Sequence, residues 1–348
     1  MSRKPKLPKM PLDVGKLLEF VGDVGRKRDV PVYVDLVFDP TAGDALVECM
    51  LGAFVEGETG AFVETVVLDA QVPDIPVPCD LCVVVGGTSL LLGDVASAAR
   101  AKGIPTVVVV ERGATFFSED PAASRALARP VAGGGPGHGA PSSPQAARAK
   151  GIPLTDIVDL DLSGASKRPL DDLGAWIVDR APAKRDALAV AFPFLRRPLA
   201  LELGRENAVQ NGAIGAVFFI PGADMPLITL NQARMVVQIA AVYGCPLDAG
   251  RVKEVVAVVL GGFGFRALAR KMAGCIPVLG WAIKPAVAAG GTLAMARAAV
   301  EYFEEDGALK GAAEAVDKAL DCAIEAVDGA TQRVRARADA RFGATDCE

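Results

Sequence analysis

Residues 37–46 read VFDPTAGDAL, a turn that closes an apolar run, VPVYVDL, and leads into a helix-like stretch, LVECMLGAF. A phosphate-binding loop occupies this kind of place, with the pattern G-x-x-x-x-G-K-[ST]. Its glycines let backbone N–H groups wrap the phosphates, its Lys neutralises them, and its Ser or Thr holds magnesium. Laid over that pattern, Phe38 takes the first Gly position, Thr41 lies within the turn and Gly43 takes the second Gly. Asp44 then stands for the Lys and Ala45 for the Ser or Thr. An Asp facing phosphate repels where attraction of several kcal/mol is needed in a poorly solvated site. The loop therefore keeps the shape of a phosphate site without its chemistry, and one Gly after a strand is also what an ordinary strand-to-helix turn contains.

A second candidate is GGTSLLLGD at 86–94, where Gly86 and Gly87 precede a helix start capped by Thr88 or Ser89. Backbone amides so placed could cradle an anion, although a plain strand-to-helix turn has the same composition. Cys79 and Cys82 form a C-x-x-C, but no second pair accompanies them and they run into VVVGG, so Cys82 is expected inside a strand. His138 is the single histidine and lies in GGGPGHGAPSSP. One histidine in such a stretch supports neither a Ser–His–Asp arrangement nor a multi-histidine metal site. No catalytic residue, cofactor or metal is expected.

The elements that carry these residues alternate. Residues 30–38, 61–70, 81–87 and 105–113 are β-rich, and 42–55 and 89–103 are helix-like, the latter leaving through Gly103. Uninterrupted Val, Leu and Ile runs between helices predict a parallel sheet covered on both faces. Residues 130–150 form a Pro/Gly/Ser-rich insertion, after which GIPLTDIVDLDLSGAS supplies another strand and RPLDDLGAWIVDRAP a helix opened by Asp171 and Asp172. The expected layout is a basic tail and short helix over 1–29, an α/β domain over 30–183, a helical domain over 184–305, and an amphipathic C-terminal helix and tail over 306–348.

The helical half is Gly- and Ala-rich and contains five apolar runs of about 11 to 13 residues between 212 and 296. Each is too short alone to cross a bilayer, which takes roughly 20; the last two, separated only by Lys284, together form a candidate span. A compact bundle and membrane contact through 205–304 both fit. Asp224, a natural N-cap before Pro226, shares a stretch with Asn231, Gln232 and Arg234, and Arg266 and Lys284 follow. These six residues are candidates for a buried polar network, as against a cap and a solvated face.

The 348 residues carry a net charge of -5, 51% apolar residues and a mean hydropathy of +0.33. That leaves no basic footprint for nucleic acid. The seven cysteines are scattered, and no apolar leader follows the basic start, so free thiols in a reducing compartment are expected.

In their order, the strand–loop–helix at 30–55, AKGIPTVVVVERG and IVDLDLSGASKRPLDDLGAWIVD resemble an Era-like small GTPase domain. Glu111, Arg112 and Gly113 stand where the resemblance calls for the start of Asn-Lys-x-Asp, Ser163 to Lys167 match its Ser-Ala-Lys region loosely, and Asp69 lacks a following Gly. Residues 195–305, with QNGAIG, PGADMPLITLNQARM, GFGFRALAR and PVLGWAIK, resemble the domain-of-unknown-function family 697. That family is related to the YcjF-type bacterial proteins, commonly follows an Era-like domain and is often membrane-associated. Together the resemblances imply a Rossmann-like, GTPase-like α/β domain followed by an all-α domain. They imply a non-catalytic pseudo-GTPase acting as scaffold or regulator through a protein partner or self-association, cytoplasmic and at the inner face of the membrane. A divergent but active nucleotide-binding NTPase and a soluble oligomeric structural protein are the alternatives.

Overall fold

The computed structural model describes residues 14–55, 60–69, 71–89, 91–112, 153–217, 225–245 and 280–304. The chain divides into two compact units, Lys27–Leu199 and Met1–Arg26 with Ala200–Glu348. The division falls inside the helix Arg196–Val217, and residues 14–26 group with the helical unit.

Among the described residues the first unit holds five strands: β1 (Val32–Phe38), β2 (Ala61–Val67), β3 (Leu81–Val85), β4 (Thr106–Glu111) and β5 (Ile157–Leu160). All pair in parallel, in the order β2-β1-β3-β4-β5. Every residue of β3 and β5 is buried; the unbroken apolar run of β3 suits a sheet covered on both sides, whereas β5 also buries Asp159. The edge strand β2 departs from that expectation, with Phe62 and Val67 well exposed.

Alternation along the strands divides the core into two layers. Val37, Cys82, Val84, Val108 and Val110 pack with α3 (Leu92–Ala101) in one cluster. On α2 (Asp44–Val55), Leu46, Met50 and Phe54 are fully buried, and Phe54 meets Phe192 edge to face at 5.0 Å. Gly103, at φ +78°, ends α3 in the left-handed conformation that a residue with a Cβ adopts reluctantly. Helices α4 (Asp171–Arg180) and α5 (Arg185–Ala191) also belong to this unit, as does the first turn of α6 (Arg196–Val217).

At the N-terminal edge of the sheet, Lys184 Nζ donates to Asp80 Oδ2 at 2.7 Å and to the Pro31 carbonyl at 2.9 Å. The same Asp80 oxygen accepts Tyr33 N–H at 2.9 Å. The Lys184 ammonium lies 5.6 Å from the Tyr33 ring centroid. This staple fixes where β1 begins.

The described elements of the second unit are helices: α1 (Val14–Arg28) up to Arg26, the rest of α6, α7 (Met225–Val242) and α8 (Gly280–Glu304). Gln232 bonds Thr292, and Tyr243 stacks on Phe303, so α7 and α8 run in the same direction. A Cβ on Gly204 of α6 would overlap Ala296 Cβ of α8, which is the close approach that small residues permit. Among the described residues no helix is long and apolar enough to cross a membrane. The part of α8 that belonged to the candidate span carries Thr292, which is fully buried and bonded to neighbouring helices.

Candidate functional site

In a parallel sheet of order 2-1-3-4-5 the chain leaves β1 toward one side and β3 toward the other. The loops that follow these strands part at the C-terminal edge and leave the crevice where such folds bind ligands. Here those loops include residues 39–43 and 86–89, which lie in the two candidate phosphate segments. The fold therefore brings both candidates to one place.

They do not stand apart around an open crevice. Asp39, only 2% exposed, places its carboxylate between them. One oxygen accepts Thr41 N–H at 2.9 Å and the Thr41 hydroxyl at 2.8 Å. The other accepts Gly87 N–H at 3.0 Å and Ser89 N–H at 2.8 Å. Between them, Thr88 N–H donates to Thr41 Oγ1 at 2.7 Å, and the two threonine hydroxyls lie 3.0 Å apart. Ser89 Oγ accepts Leu91 N–H at 3.2 Å. Two of the four bonds to this carboxylate, from Thr41, close its own loop, and the other two, from Gly87 and Ser89, hold the two loops together.

Gly87 is small because it must be. A Cβ there would come within 2.6 Å of Ala42 N and of the Thr41 carbonyl carbon. Gly86 N–H donates to the Val109 carbonyl at 2.8 Å, which makes it a sheet residue rather than a free donor. Thus of Gly86, Gly87, Thr88 and Ser89, every backbone amide is bonded within the chain.

Residues 38–45 form a turn from strand to helix. Phe38 ends β1 and is buried, and Gly43 accepts the first helical bonds of α2 from Leu46 N and Val47 N. Asp44 and Ala45 fall in the first turn of α2, where a carboxylate suits the helix dipole. A Cβ on Gly43 would lie 2.9 Å from Glu111 Oε2, so a second carboxylate, from the end of β4, sits against the turn. Arg112 turns away: its N–H donates to Leu160 O, and its guanidinium pairs with Asp161 at 3.4 Å. Asp161 also accepts from the Ser163 amide and hydroxyl, which with Arg112 hold its carboxyl below the usual carboxylate range. Lys167 is exposed.

The C-x-x-C pair lies away from this crevice. Cys82 is fully buried in β3, as expected, and burial pushes its thiol up. Cys79 donates to Leu81 O at 3.3 Å and bonds Asp35; burial first, then Asp35, pushes this thiol up to about 12. Thiols so raised are poor nucleophiles at neutral pH. Asp35 sits in the middle of β1, 4% exposed, with Oδ2 lacking a hydrogen-bond partner; desolvation raises its carboxyl. Among the described residues no group of three or more His, Cys, Asp or Glu is placed to hold a metal ion.

In the helical unit a buried polar network exists, with partly different members. Asn211 of α6 donates to Thr292 Oγ1 at 2.9 Å, and Gln232 of α7 donates to the same oxygen at 3.2 Å. Asn231 donates to Asn211 Oδ1 at 3.1 Å, and the Thr292 hydroxyl donates to Ala288 O at 2.8 Å. Asn231 and Gln232 are expected members; Asn211, next to Gln210, and Thr292, in a small-residue run, are not among those the sequence singles out. Arg234 instead lies over the Phe20 ring, 5.3 Å from its centroid. Asp224 and Arg266 fall outside the described residues, and of Lys284 only its place in α8 is described. The insertion 130–150 and the C-terminal helix expected over 306–348 lie outside them too.

Asp39 also lay outside the sequence reading. Its local signal is Asp-Pro-Thr after a strand, which favours a turn closed by the Asp side chain. Its bonds to residues 48 and 50 positions away have no local signature. A scan of family models and a search of curated proteins each give no match to this chain.

Proposed function

We propose that this chain is a non-catalytic, GTPase-like protein, a pseudo-GTPase joined to a helical unit, that serves as a scaffold or regulator and does not turn over nucleotide. The observation that carries the reading is the state of the crevice between β1 and β3. The amides that would wrap a phosphate are bonded to Asp39 and Thr41, and Asp44 stands where a phosphate loop has its Lys. The parallel sheet supports the comparison with an Era-like domain, because the loops after β1, β4 and β5 emerge at one edge, where such a domain collects its nucleotide motifs.

The test is calorimetric titration of the full-length protein with GTP and with ATP, each with and without magnesium. No heat at high micromolar nucleotide is expected; magnesium-dependent binding would overturn the reading and favour a divergent NTPase. The regulator role includes contact with a membrane surface through 205–304, motivated by its apolar runs. Co-sedimentation of the full chain with anionic vesicles is expected, and recovery of a discrete oligomer that ignores vesicles would favour the structural alternative.

A further inference from the structure

We propose that the Asp39 carboxylate is the resident anion of the crevice: it takes from within the chain the amides that an external phosphate would use, and keeps the loops after β1 and β3 closed without a ligand. The proposal rests on the reading of residues 27–199 as a nucleotide-binding fold that has lost its ligand.

Asp39 is buried, and both its oxygens are doubly bonded, three of the four donors being backbone amides from two loops. Convergent amides around one anion are how a loop holds a phosphate oxygen. A phosphate entering here would have to displace Asp39 from those donors. The displaced carboxylate would then lie beside it, with Glu111 already against Gly43. Asp44 makes none of these contacts, so its sign weakens an anion site while Asp39 fills it. In a phosphate-regulated fold, loops of this kind close when ligand arrives. Here closure is permanent, which leaves a fixed surface at the C-terminal edge of the sheet.

The experiment compares full-length wild type, Asp39→Ala and Asp44→Ala, using inorganic phosphate as the probe and chloride at equal ionic strength as control. Binding is read by calorimetry and by the shift in melting temperature, since a ligand that binds only the folded state raises it. Asp39→Ala is expected to bind phosphate with millimolar affinity and to melt several degrees higher in phosphate than in chloride. Wild type and Asp44→Ala are expected to show neither. If Asp39→Ala is unfolded in chloride, phosphate is expected to restore a cooperative melt. The proposal is overturned if Asp39→Ala is indifferent to phosphate, folded or not, or if Asp44→Ala alone gains binding. That failure leaves wild type inert and the proposed function standing. Binding of GTP or ATP by wild type with Asp39 in place would instead sink the proposed function itself.

Discussion

Substitution of Gly87 by Ala tests whether the two loops touch as described. The new Cβ would lie 2.6 Å from Ala42 N and from the Thr41 carbonyl carbon, where ordinary contact begins near 3.4 Å. Backbone atoms cannot swing aside as a side chain does, so the loops must part by about 0.8 Å, the difference between those distances. Parting lengthens the bond from Gly87 N–H to Asp39, now 3.0 Å, and that from Thr88 N–H to Thr41, now 2.7 Å, toward or beyond the limit of useful hydrogen bonding. One bond goes to a charged acceptor and one to a neutral one, so their loss costs about 3 kcal/mol, in the range that overpacking a tight site costs. Gly52, in the middle of α2 with nothing near its would-be Cβ, is the control, and its change to Ala should be neutral or slightly stabilising. Amide hydrogen exchange in β1 and β3 reports this unit alone. If those amides exchange by its global opening, they should speed up roughly 100-fold in Gly87→Ala and not at all in Gly52→Ala. Exchange within threefold of wild type in Gly87→Ala would refute the close approach and reopen the crevice to ligand.

Three other expectations follow from the same geometry. Lys184→Met should destabilise the α/β unit by about 2 kcal/mol, because Asp80 and the Pro31 carbonyl lose a charged donor in a partly buried setting; a double-mutant cycle with Asp80→Asn should return a coupling near 1 kcal/mol or more, and a coupling near zero would show the staple to be ornamental. Asp35→Asn should stabilise the protein at neutral pH and not at pH near 3. Desolvation raises the Asp35 carboxyl in the folded state, against Cys79 and Lys102, which lower it, and with Glu64, which adds to the rise. Between the unfolded value and the raised folded value the folded state binds more protons, so wild-type stability falls as pH climbs through that window; equal unfolding free energies for the two proteins at both pH values would contradict this. Thr292→Val should cost about 2–4 kcal/mol, since Asn211 and Gln232 each lose a buried acceptor. Adding Gln232→Leu, which removes one of the two stranded donors while Asn211 keeps its bond from Asn231, should recover part of that loss, and urea denaturation of both variants decides it.

The alternation of apolar strands with helices, the exit at Gly103 and the acidic first turn of α4 were legible because they depend on near neighbours. The periodicity of a strand or helix and the φ of one glycine are local matters, and the observed elements fall within the expected stretches. That Asp44 and Ala45 supply neither the charge nor the metal ligand that a phosphate loop uses was also legible, since those are properties of residue type. Exposure of β2 was not legible: a run such as AFVETVV does not say whether its faces are covered, and β5, at the opposite edge, is buried throughout. The polar network was half visible, because Asn231 and Gln232 stand out on one helix, whereas Thr292 joins them only through the packing of α7 and α8. Most of all, tertiary structure decided what fills the crevice. Asp39 is an ordinary turn residue in sequence, and only the parallel pairing of β1 with β3 carries Gly87 and Ser89 to its carboxylate. Sequence spacing sets local chemistry, while the partner of a buried charge is set by which strands lie side by side.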